Sequence, residues 1–140
     1  MSIITLLTDF GTGTEYAGLM KGVILSINPS AAIVDITHQI DSQDIVQAAF
    51  TTYASYGYFP DGTVHLIVVD PGVGSERSLL ALEMKKQFFI APDNGVLTLL
   101  FNEGKITSLI RIANSKYFLT SVSRTFHGRD IFAPVGARLS

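Results

Sequence analysis

Three stretches restrict the fold more than any other feature of the chain. "IITLLTDF" (3–10), "AAIVDIT" (31–37) and "TVHLIVVD" (63–70) are β-branched, nearly continuous apolar runs, and each is parted from the next by a segment with helical spacing. A strand with one face in water alternates apolar and polar residues, whereas one that is apolar almost throughout must be covered on both faces. Between the runs, "EYAGLMKGVILSINPS" puts Ala17, Met20, Val23, Ile24 and Ile27 on one helical face and stops at Asn28-Pro29. "DSQDIVQAAFTTYASYGYF" does the same with Ile45, Ala48, Ala49 and Thr52, closed at Gly57. Further along, "SLLALEM" and "QFFIAP" read as two sequential strands joined at Lys85-Lys86. "GVLTLLFNEG" reads as a short helix and "ITSLIRI" as another strand. Strands alternating with helices define an α/β sandwich with a mostly parallel sheet.

The 140 residues are enough for one compact domain with its own core. With 47% hydrophobic and 16% charged residues the polar surface is lean, which points to apolar area covered by another chain or a further segment. A net charge of -2 argues against a broad electrostatic grip on nucleic acid. No apolar run approaches a membrane span, and "MSIITLLTDF" lacks the basic start and cleavage site of a signal peptide, so no membrane association is expected. The absence of cysteine leaves no disulfide scaffold and no thiolate nucleophile, and makes a cytoplasmic location the default. "DIFAPVGARLS" opens a helix and stops without a glycine, asparagine or polar run, as expected of a piece of a longer chain.

In such sheets ligands gather at the carboxyl ends of the strands. The sequence places a carboxylate at three of these ends, Asp9, Asp70 and Asp93, each followed within two residues by glycine (Gly11, Gly72, Gly95). One such end is a turn; three form a pattern, because a sheet brings its strand ends to one rim. Each also has an ordinary reading. Asp9 suits a sugar's hydroxyl pair, but Asp9 or Thr12 also suits the cap of the following helix. The dinucleotide pattern fails because Tyr16 stands at the third glycine position, and no phosphate-loop motif is present. Asp70 and Arg77 fit a surface ion pair or an arginine fork that fixes a carboxylate or polar substrate group. Asp93-Asn94-Gly95 is equally a hairpin signal. His65 lies within a strand and reads as structural, while His38 at a strand end is open to either role. His127, in "RTFHGRDIF", is the best candidate for polar chemistry near neutral pH, though Asp130 beside it suits a helix cap. No H-E-x-x-H or Cys/His spacing occurs, so no metal is expected.

Four motifs together, "LLTDFG", "VDPGVGSERS", "APDNG" and "TFHGRDIFAP", resemble the S-adenosylmethionine (SAM) hydroxide adenosyltransferases, the SAM hydrolase branch of the fluorinase and chlorinase superfamily. They run in order along essentially the whole chain. The resemblance implies a three-layer α/β/α N-terminal domain, residues 1–140, that pairs with a C-terminal β-barrel domain and assembles as a homotrimer. SAM, a substrate rather than a cofactor, would bind between one subunit's N-terminal domain and its neighbour's C-terminal domain. The family's Asp-Arg-His set falls on Asp70, Arg77 and His127, and its ribose-binding aspartate on Asp9. Asp93, Asn94 and Phe126 fall near the nucleoside. Halide-using members carry tyrosine where this chain has Asp70 and His127, and the fluorinating ones a serine where it has Gly128, so the departures favour water as nucleophile.

The implied reaction is in-line attack of water or hydroxide on the ribose C5′ of SAM, giving adenosine and L-methionine. The sulfonium is already a good leaving group, so the task left to the protein is to hold and polarise water. Two other readings accompany this one: a SAM or adenosine binding domain without turnover, and another nucleotide-using α/β enzyme.

Overall fold

The computed structural model describes residues 2–140. The strands are β1 (Ile3–Thr8), β2 (Ala32–Thr37), β3 (Val64–Val68), β4 (Leu79–Met84), β5 (Gln87–Pro92) and β6 (Ile106–Arg111). They form one sheet in the order β2-β1-β3-β5-β4-β6. β2, β1, β3 and β5 run parallel, while β4 lies antiparallel between β5 and β6. The α-helices are α1 (Tyr16–Ile27), α2 (Ile45–Ser55), α3 (Thr98–Asn102) and α4 (Ala133–Leu139). Among the described residues, no helix is long and apolar enough to cross a membrane.

The continuous apolar runs have the two covered faces that they require. From β1 and β3, Ile4, Leu6, Val64, Leu66 and Val68 pack against Met20 and Ile24 of α1 and against Ala133 and Ala137 of α4. The alternate residues Leu7, Ile67 and Val69 pack with Ala48 and Ala49 of α2 and Leu100 of α3. Two cores on either side of one sheet make the three-layer α/β/α sandwich. Each fully buried leucine or isoleucine contributes about 1.5–3 kcal/mol by leaving water. Packing of α4 on the sheet depends on Gly136, where a Cβ would lie 2.7 Å from Leu66 Cδ2.

Several local expectations are corrected. Neither Asp9 nor Thr12 caps α1; Glu15 is its N-cap residue and makes no side-chain capping bond. Gly57 lies inside a 3-10 turn, Tyr56–Tyr58, that extends α2 instead of ending it. Asn94-Gly95 makes no hairpin, because β5 runs on toward α3; Asn94 Oδ1 instead accepts from the Val96 N–H at 3.1 Å. Asp130 does not cap the last helix but lies within a π-helical turn, Gly128–Phe132, that leads into α4.

Topology places the site. β2 lies on one side of β1 and β3 on the other, so the chain leaves these neighbours in opposite directions. Such a switch point opens a crevice outside the carboxyl ends of the two strands. Asp9 follows β1 and Asp70 lies two residues beyond β3, so both carboxylates emerge there.

Candidate active site

A cleft of about 420 Å³ occupies this crevice, lined among others by Asp9, Phe10, Tyr16, Asp70, Val73, Phe126, His127 and Arg129. Its polar centre joins two distant loops. Arg77 Nε donates to Asp70 Oδ1 at 3.0 Å and to Oδ2 at 3.1 Å, and Nη2 also donates to Oδ2. The same Nη2 reaches His127 Nδ1 at 2.9 Å. Since the guanidinium only donates, Nδ1 accepts and the imidazole proton sits on Nε2, which donates to the Ser123 carbonyl at 2.9 Å. Both nitrogens of His127 are therefore engaged, and the ring packs against Arg77. The Asp70 and Arg77 side chains are only 5% and 12% exposed, so the pair is largely shielded from screening by solvent.

The loop 70–77 folds over this centre by backbone turns, with Val73 N–H donating to Asp70 O at 3.1 Å and Ser75 N–H to Gly72 O at 2.9 Å. Gly74 has φ +79°, and a Cβ there would lie 2.3 Å from the Arg124 carbonyl oxygen. The second glycine of "DPGVGSER", Gly74, is thus the contact that lets the Arg77 loop touch the His127 loop. On the other side, Asp130 is fully buried and ties the 123–130 segment together, accepting from Ser123 N–H at 2.8 Å and from Arg129 Nε at 2.7 Å. Burial alone would raise its carboxyl pKa; the bonds from Arg129 and Ser123 hold it below its ordinary value.

At the far wall, Asp9 Oδ2 accepts from the Gln43 N–H at 2.8 Å, and Gln43 holds φ at 61° to present that N–H. Oδ1 is the oxygen left to accept from a ligand. Phe10, Tyr16 and Phe126 meet edge to face, with ring centroids 5.0 to 5.8 Å apart, forming an apolar wall. The Arg129 guanidinium lies 4.9 Å from the Phe126 ring centroid.

Asp9, Asp70, Phe126 and His127 thus line one cleft, with Arg77 bonded to two of them. Asp93 is not among the lining residues: its side chain is exposed and its N–H pairs with Ser78 O at 2.8 Å. Asn94 does not line the cleft either; its Nδ2 donates to Val69 O at 3.0 Å, pinning the residue before Asp70. His38 and His65 are buried structural partners of Thr8 and Thr5. Sequence reasoning missed Phe10, Tyr16 and Arg129 as lining residues. The only signal was their nearness in the chain to Asp9 and His127, because an exposed tyrosine at a helix start usually signifies nothing.

A doubly covered, mainly parallel sheet with a polar cleft at its switch point defines a ligand-binding α/β domain. This chain belongs to the SAM hydroxide adenosyltransferase N-terminal domain family, whose model matches residues 4–140. It is 42% identical to an (R)-S-adenosyl-L-methionine hydrolase of Methanocaldococcus jannaschii over 99% of this chain and 53% of that protein. Identity falls to 27% with a fluorinase of Actinoplanes sp., over 99% of this chain and 54% of that protein. In three dimensions it superposes with a TM-score of 0.93 on an uncharacterized conserved protein from Thermotoga maritima, at 46% identity, covering 97% of this chain and 53% of that one. The chain spans about half the length of the curated relatives it matches.

Proposed function

We propose that the protein carrying this domain hydrolyses S-adenosyl-L-methionine to adenosine and L-methionine, with water as nucleophile at the ribose C5′. The observation that carries this reading is that Asp70 and His127, joined by Arg77 behind them, line the same cleft as Asp9 and the aromatic wall. Asp9 Oδ1 accepts from the ribose hydroxyls, and Phe126 with its neighbours flanks the nucleoside. Asp93 and Asn94 act at a distance, Asn94 by fixing the end of β3. Asp70 accepts a hydrogen bond from water and takes its proton as the C5′–O bond forms. The C5′–S bond breaks in the same step, its electron pair neutralising the sulfonium to the thioether of methionine. His127 cannot take that proton without releasing Arg77 or Ser123, so it serves as the prop of the guanidinium.

No metal enters this scheme, since departure of a neutral thioether needs no electrophile. The reading includes a C-terminal β-barrel domain after residues 1–140, a homotrimer in which that domain closes a neighbour's cleft, and a cytoplasmic location. The names of the hydrolase relatives specify the (R) configuration, so both sulfonium epimers belong in the assay. The test is turnover of SAM in oxygen-18 water by the intact protein, with excess chelator and with fluoride or chloride added. Label at the 5′ oxygen of adenosine, unaffected by chelation, is expected. An unlabelled nucleoside, a 5′-halo nucleoside or activity lost to chelator overturns the mechanism, and binding without turnover favours a binding domain.

A further inference from the structure

Outside the polar centre, one chain of side chains, running from the surface at Lys21 and Asp35 to the buried His38 and Thr8, has no part in the scheme above. Lys21 Nζ on α1 donates to Asp35 Oδ2 at 2.8 Å, and Asp35 Oδ1 accepts from His38 Nε2 at 2.9 Å. His38 Nδ1 lies 2.8 Å from Thr8 Oγ1. With its Nε2 proton directed at a carboxylate, His38 accepts at Nδ1, so the Thr8 hydroxyl donates. That hydroxyl oxygen in turn accepts from the Phe10 N–H at 3.2 Å. The backbone repeats the grip: Gly11 N–H donates to His38 O at 2.7 Å and Ile40 N–H to Thr8 O at 3.3 Å. Thr8 is fully buried and His38 is 8% exposed. Asp9 and Phe10, both in the cleft wall, therefore stand between two residues clamped by His38.

We propose that His38 is a positioning residue: through Thr8 Oγ1 its imidazole holds Asp9 in the orientation that reads the ribose 2′,3′-diol. This rests on the reading that Asp9 accepts from the ribose. The reasoning is geometric. Asp9 is anchored at one oxygen by a single backbone N–H, from a residue on another loop. That bond fixes where the carboxylate sits only if the peptides on both sides of Asp9 are also fixed. Thr8 is the last residue of β1, and beyond it no strand pairing restrains the backbone. Besides the Gly11 and Ile40 backbone bonds, the restraint passes to the hydroxyl–imidazole pair, and Asp35 accepts from the far side of the imidazole.

The test measures the affinity of the intact protein for adenosine and for 2′,3′-dideoxyadenosine. Loss of two hydroxyls from a charged acceptor should cost the unmodified protein about 10–100-fold in affinity. His38→Ala should reduce that preference to below about threefold by lowering adenosine affinity, while dideoxyadenosine affinity stays within about twofold. The latter also reports a folded cleft. His38→Asn keeps an acceptor near the Nδ1 position and should restore most of the preference, whereas His38→Gln, which reaches the Nε2 position, should not. Thr8→Val should resemble His38→Ala. If His38→Ala does not fold, the Asn and Gln variants carry the test. Full preference in His38→Gln, or no rescue by His38→Asn, overturns the proposal. Asp9→Asn separates the two layers: if it leaves the diol preference intact, the ribose reading itself is wrong. If Asp9→Asn abolishes the preference and His38→Ala does not, only the positioning role is lost.

Discussion

At the amino ends of the strands, the Tyr56 hydroxyl donates to Glu103 Oε1 at 2.6 Å and Lys85 Nζ pairs with Glu103 Oε2 at 2.9 Å. Gln87 Nε2 donates to Tyr56 O at 3.2 Å, and its Oε1 accepts from His65 Nε2. At the carboxyl ends, Asp70, Arg77 and His127 form a network of similar composition. Each contains an ion pair and a histidine with both ring nitrogens bonded. The difference lies in what surrounds them. His65 has neutral partners, stacks on Phe89 and adjoins a void of about 10 Å³, room for a water at most. The other network borders about 420 Å³ of open cleft. A polar cluster closed on itself contributes to stability, whereas one that borders an open cleft is within reach of a ligand.

The comparison predicts that changes at the two ends separate activity from stability, and the largest effect is at Asp70. Asp70→Ala should lower kcat by about 10²–10⁴-fold, as for loss of a general base, with affinity for adenosine changed much less. Parallel measurement of turnover and nucleoside binding checks this; equal losses in both would remove Asp70 from the transition state. Next is Gly74→Ala. Its Cβ would meet the Arg124 carbonyl at 2.3 Å in a backbone with φ +79°, so the Arg77 loop must shift from His127. A displacement of that order should cost about 10–100-fold in turnover. Unchanged kcat would show that contact between the loops is not needed.

How far this division could be read from the chain differs between the ends. The doubly buried strands, and the carboxylates after β1, β3 and β5, were legible because periodicity and strand ends are local properties. The partition among those three carboxylates was not. Asp93 follows its strand as Asp9 and Asp70 do, yet faces solvent, because the switch point lies between β1 and β3 and depends on strand order. The turn residues misled at Asn94, where the same dipeptide serves a strand-to-helix connection. The network at Tyr56, Lys85 and Glu103 joins residues up to 47 positions apart, and no spacing announces it.

A third prediction probes the amino end through pH. Burial is the main cause that lowers the His65 pKa from 6.5, outweighing the Gln87 bond that raises it. Below about pH 6.5 the unfolded chain therefore binds more protons than the folded one. The contribution of neutral His65 is fully present above that pH and is lost as pH falls toward the folded value. The thermal midpoint should fall by a few degrees between about pH 7.5 and 5.5, and His65→Gln should flatten that dependence while leaving kcat near neutral pH unchanged. An equally steep dependence in His65→Gln would assign it to another group.

The smallest effect is expected where β4 turns into β5. Lys85 and Lys86 both hold left-handed backbone, φ 51° and 60°, in the two-residue turn where an asparagine–glycine pair is favoured. A side chain there costs about 1–2 kcal/mol. Lys85 has partners: its hydrogen bonds to Glu103 and then to Tyr56 push its pKa up to about 12. Lys86 has none of consequence, because its Nζ is 3.9 Å from Asp61 with both side chains over 70% exposed, a pair worth next to nothing. Lys86→Gly keeps the carbonyl that accepts from Gly62 N–H at 2.7 Å and removes only the conformational strain. After the greater chain entropy of glycine is subtracted, about 0.5–1 kcal/mol of added stability should remain. Chemical denaturation should show the gain as a higher midpoint with an unchanged slope, and turnover should be unaltered. A gain in stability with altered turnover would mean that the two ends of the sheet are coupled.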